Sequence, residues 1–133
     1  MNEQKVDLSP NDIIIAEILF ALLKETNGEV LVTYKWLAKQ DNKKGLGHQP
    51  DALHTPLDKI NRKCKEINSQ CPMISTLVIN HELAVPGPGF FDLLNNLSQS
   101  EEVLDNNKAF LKEWEHLRQY KGWDDIIAEF EKL

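Results

Sequence analysis

Two cysteines among 133 residues, and no pair of them at Cys-x-x-Cys spacing, remove the commonest thiol-based metal and redox motifs. His48, His54, His81 and His116 are scattered, and with Cys64 and Cys71 they show no ligand spacing, so no metal site is expected. Long apolar runs are missing too. The longest candidate, Ile13 to Leu23, is interrupted by Glu17 and reads as a buried amphipathic helix, which leaves no membrane span. Met1 to Leu8 is acidic and polar without a cleavable apolar segment, so a cytoplasmic location is expected. In that setting Cys64, on the apolar stripe of a helix, is expected as a reduced core thiol. Gly45-Leu46-Gly47 is too short for a nucleotide fingerprint and lacks the Lys-Ser/Thr of a phosphate loop. The acidic pairs Glu101-Glu102 and Asp124-Asp125 sit at helix starts, where the helix dipole accounts for them. Neither a catalytic constellation nor a cofactor site is expected.

What is present is helix-forming pattern. A composition of 41% hydrophobic and 27% charged residues suits a single domain over 1–133. Residues 1–8 form a loose tail, 9–89 the core and 90–133 a C-terminal helical extension. Ser9 as cap, Pro10 at the first helical position and Asp12 near the positive end start a helix that Asn27-Gly28 stops. Glu29 to Val32 is a small strand or an extended entry to the next helix, which Thr33 caps. After a glycine-containing loop, Pro50 opens a short turn, and the main helix runs from Pro56 to about Asn68 with Thr55 as its cap. Leu53, Leu57, Ile60, Cys64 and Ile67 recur at helical spacing there. Met73 to Asn80 reads as a strand, His81-Glu82-Leu83-Ala84 as a wing tip and Val85 as the return strand. Pro86-Gly87-Pro88-Gly89 ends it and lets Phe90 and Phe91 dock in the core. Ser98-Gln99-Ser100-Glu101 is a capping box before a helix with Val103, Leu104, Ala109, Phe110, Leu111, Trp114 and Leu117, and a last helix follows from Trp123 with Ile126, Ile127 and Phe130 inward. The expected fold is mainly α with a small β-hairpin, a winged helix-turn-helix-like core followed by C-terminal helices.

The net charge of −6 conceals an asymmetry. From Lys35 to Lys65 there are eight basic residues against three acidic ones, a local +5 that leaves −11 for the rest. A basic helix-turn-helix region in an acidic chain suits phosphate contacts. Lys59, Arg62, Lys63 and Lys65 are the candidates on the recognition helix, with Lys43, Lys44 and the wing residue His81 gripping the backbone. DNA is then the expected partner. The alternative is a small acidic interaction protein of bacterial or phage kind (immunity, inhibitor or accessory) whose C-terminal carboxylates meet a basic protein.

Thr33-Tyr34-Lys35-Trp36-Leu37-Ala38, a following helix, and Cys71-Pro72 before an apolar strand and a Gly-Pro-Gly turn resemble the DNA-binding domain of alkylguanine-DNA alkyltransferases and alkyltransferase-like proteins. The resemblance covers roughly Thr33 to Gly89 and implies a winged-helix fold. Where that family has its nucleophilic Cys-His-Arg after the proline, this chain has Met73-Ile74-Ser75, and its intruding arginine has no counterpart in Leu53-His54-Thr55. Alkyl transfer is therefore not expected.

Overall fold

The computed structural model describes residues 6–82, 85–97 and 106–133. Most of the expected tail, the wing-tip residues Leu83 and Ala84, and the expected capping box at 98–101 with Glu102, Val103 and Leu104 lie outside them. Six α-helices and two short strands occur among the described residues. Helix α1 spans Pro10–Thr26. The Ser9 hydroxyl accepts the Asp12 N–H at 3.1 Å while the Asp12 carboxylate accepts the Ser9 N–H at 2.9 Å, so two orphan donors of the helix start are satisfied reciprocally. Asn27 and Gly28 both adopt left-handed backbone, with φ of 55° and 74°, and stop the helix as expected. Strand β1, Val32–Thr33, leads into α2, Tyr34–Lys43, whose Trp36 N–H is capped by the Thr33 hydroxyl.

Pro50–Ala52 forms a 3-10 turn, and α3 then runs His54–Ile67. The expected start at Pro56 is corrected by two residues: Thr55 lies inside the first turn and does not cap it, and Leu53 O accepts the Leu57 N–H at 3.0 Å. Pro56 is accommodated because its missing N–H would have had no intrahelical partner in that turn. The expected long strand from Met73 is corrected more deeply. Ile74–Leu77 winds into a 3-10 turn, and only Val78–Ile79 is extended, as β2. Side chains explain the coil: the Thr76 N–H and hydroxyl both donate to Met73 O, at 3.1 and 2.6 Å, and the Ser75 N–H donates to Asn61 Oδ1 at 3.1 Å. The strands pair in parallel, Val32 with Val78 and Thr33 with Ile79, in place of the expected hairpin. A bond from Asn80 N–H to Val85 O, 2.6 Å, is what joins the two limbs of the expected wing.

Helices α4 (Pro88–Leu97), α5 (Asn106–Gln119) and α6 (Trp123–Glu131) complete the chain. The main core gathers Ile15, Leu19, Leu37, Leu53, Ile60 and Leu77 with Leu117 and Ile126. Each fully buried side chain of this size contributes roughly 1.5–3 kcal/mol. A second cluster packs Met73 with Phe90, Phe91, Leu93 and Phe110, so the two phenylalanines dock as expected. Glu113 of α5 holds the backbone at Met73, its buried carboxylate accepting the Met73 N–H at 2.8 Å. Among the described residues no helix is long and apolar enough to cross a membrane.

Candidate nucleic-acid interface

The apolar stripe expected for α3 is inward: Leu53, Leu57, Ile60 and Cys64 are buried and Ile67 is half-buried. Burying that stripe turns the basic residues outward, but most of them are already engaged. Lys59 Nζ lies 2.9 Å from Asp12 Oδ2, Arg62 Nε donates to Asp58 Oδ2 at 2.9 Å, and Lys63 Nζ lies 3.3 Å from Glu66 Oε1. Lys65 is half-buried and meets no carboxylate among the described residues.

These pairs differ in kind. Asp12 is buried, and Lys59 and Ser9 together offset the cost of holding its charge there. Burial pushes its carboxyl upward, yet the hydrogen bonds from Lys59 and Ser9 and the charge of Lys59 outweigh that and leave it below the usual carboxylate range. Lys59 is thus committed to the start of α1. Arg62 and Asp58, in contrast, are 45% and 41% exposed. An exposed pair of this sort is worth about 0–1 kcal/mol, little enough for a phosphate to replace the carboxylate.

Helix α2 carries a cationic row that was only half visible in the chain. Lys35, Lys39 and Lys43 are exposed, and their four-residue spacing places them on one face. Lys44 follows at the cap. Among the described residues none of the four meets a carboxylate. The one acidic side chain of the helix, Asp41, is turned into the interior, where His48 Nδ1 lies 2.5 Å from its Oδ2. That removes a negative group from the row. The expected site residues Lys43 and Lys44 therefore belong with Lys35 and Lys39, whose four-residue repeat was the signal for them. His81 is exposed in the turn after β2, where Asn80 Oδ1 accepts the Glu82 N–H at 2.9 Å.

Beside α3 opens a cleft of about 680 Å³, lined by Tyr34, His54, Asp58, Asn61, Ser75 and Phe90 among others. Its floor is built by a buried pair: Asn61 Nδ2 donates to Ser75 Oγ at 2.6 Å, and the Ser75 N–H returns to Asn61 Oδ1. One edge is held by Tyr34, whose hydroxyl accepts the Gly87 N–H at 2.9 Å. Cys71 is fully buried away from this cleft's lining, its thiol donating to Pro72 O at 3.3 Å. Both cysteines are free thiols. Burial, and then contact with Cys71, push the Cys64 thiol well above its usual value. No three His, Cys, Asp or Glu side chains gather into a metal-holding group among the described residues.

Set against models of protein families, curated proteins and solved structures, the chain matches none.

Proposed function

We propose that this chain is a non-catalytic, winged-helix-like nucleic-acid-binding module. The observation that carries the reading is the Lys35-Lys39-Lys43 row, continued by Lys44, free of carboxylates on the outer face of α2 in a protein of net charge −6. Arg62 and Lys65 on α3 add further cations, and Lys63 would join them by exchanging Glu66 for phosphate. Element order supports the winged-helix likeness, helix, strand, helix, helix and strand, although the parallel strand pair replaces a hairpin wing. The resemblance to alkyltransferase-like domains points the same way, with the fully buried Met73 standing where that family has its reactive cysteine. The acidic face of α6 supports the alternative less, because Asp124 and Glu129 are already paired with Lys24 and Lys132.

Fluorescence anisotropy of labelled duplex and single-stranded DNA tests this. Four phosphate contacts predict a slope of log K against log salt of about −2.8 to −3.6, at roughly 0.7–0.9 per phosphate. In Lys35→Glu/Lys39→Glu/Lys43→Glu the affinity at near-physiological salt should be lost with the melting temperature nearly unchanged. Retained binding in the folded triple variant, or no binding by the native chain even at low salt, sinks the reading.

A further inference from the structure

Helix α1 is apolar on nearly every side, a pattern that belongs to helices covered all round. Its own fold covers only part of it. Ile15, Ala16, Leu19 and Leu23 are buried, whereas Ile14, Ile18 and Leu22 stay partly open and Ala21 is exposed. Those four positions face a groove of about 480 Å³ between α1 and α2, closed on the far side by Trp36. A second groove of about 270 Å³ runs between α1 and α6 over Phe20, Ile127 and Phe130. Both share Glu17 and Ala21, so the ridge between them is low at the methyl of Ala21. From Ile14 to Glu25 the first groove follows about three helical turns, at roughly 1.5 Å per residue.

The charges choose the occupant. Glu17 and Glu25, two turns apart on α1, both line the groove, and Glu131 adds a third carboxylate across the ridge. None of these three is in an ion pair among the described residues. Lys44 is the one cation at the groove between α1 and α2. A second copy packing α1 against α1 about a two-fold axis would bring carboxylates from both copies to the same rim, which repels. We propose that this groove docks an amphipathic helix of a partner protein, an apolar stripe flanked by lysine or arginine, with Glu17 and Glu25 gripping the flanks. The apolar stripe supplies burial, and the acidic rim supplies choice of partner.

The probe is a fluorescein-labelled helical peptide with leucines at i, i+4, i+7 and i+11 flanked by lysines, compared with the same peptide flanked by glutamates. The full chain should bind the lysine form and not the glutamate form. Glu17→Lys/Glu25→Lys, both at exposed positions, should weaken the lysine form about tenfold, the worth of two partly exposed ion pairs, and gain the glutamate form. Ala21→Arg should block the lysine peptide by filling the low point of the ridge. Failure of the lysine peptide to bind, or equal binding by Glu17→Lys/Glu25→Lys, overturns the proposal. So does a native chain that sediments as a dimer and becomes a monomer in Ala21→Arg, since the occupant is then a second copy. Lys35, Lys39 and Lys43 do not line this groove, so Lys35→Glu/Lys39→Glu/Lys43→Glu should keep the lysine peptide while losing DNA, and the two results are read separately.

Discussion

At the residue scale, polar side chains hold backbone in place more than they offer chemistry. The Asp12 carboxylate closes the capping box of α1 and receives Lys59, which keeps its carboxyl below its ordinary value of 3.8. A carboxylate with a lowered folded-state value stabilises the fold above the unfolded value and loses that contribution as pH falls through the folded one. Stability should therefore drop below about pH 4, and Asp12→Asn should lose about 1 kcal/mol at neutral pH while flattening the acid limb. Urea melts of both proteins across the acid range check this. Tyr34→Phe should cost about 1 kcal/mol, because the Gly87 N–H then loses its acceptor. Cys64 and Cys71, both fully buried, should resist iodoacetamide in the native state and react together on unfolding, as mass spectrometry after timed labelling would read out.

At the scale of elements, caps were legible and coil geometry was not. Ser9, Pro10 and Asp12 announced the start of α1, Asn27-Gly28 its stop, and Thr33 the start of α2, because each acts on neighbours within four residues. The 3-10 turn at Ile74–Leu77 was hidden, since an unbroken apolar run looks the same as strand or coil. What decided it is a tertiary bond, Ser75 N–H to Asn61, between residues far apart in the chain. Thr55 misled for a related reason: the packing of Leu53 at the base of α3 let the helix begin earlier. Gly28 joins two elements and is the sharpest test of that packing. A Cβ there would stand 2.7 Å from Leu117 Cδ2, and φ is +74°. Gly28→Ala should therefore destabilise by about 1–3 kcal/mol, from left-handed strain plus overpacking against α5, and lower the thermal midpoint accordingly.

For the whole molecule, charge counts located the basic stretch and not which of its cations are free of carboxylates. Lys59, Arg62, Lys63 and Lys65 stood out as a recognition helix, yet sequence spacing gives no sign that Asp12, on another helix, claims Lys59. The uncommitted row on α2 needed the burial of Asp41 to be recognised. A protein laid out this way is two-faced in charge, with lysines along α2 and carboxylates along α1 and α6. Strong salt dependence toward DNA and opposite charge preference toward peptides should then coexist in one chain, and titrations of both probes against one preparation would show it.

The parallel pair β1–β2 has a consequence of another sort. All of α2 and α3 lies between the two strands in sequence, so this segment begins and ends at adjacent points while its own side chains fill part of the core. Inside the segment, Gly45 and Gly47 sit in a loop with left-handed backbone and open space about each Cα. A single protease cut there would free neither half, because the piece ending after α2 and the piece beginning before α3 each keep one strand of the pair and one wall of the core. Nicked protein should elute as one species in native chromatography and as two bands once denatured, behaving as a complex of fragments that the sheet and core hold in register.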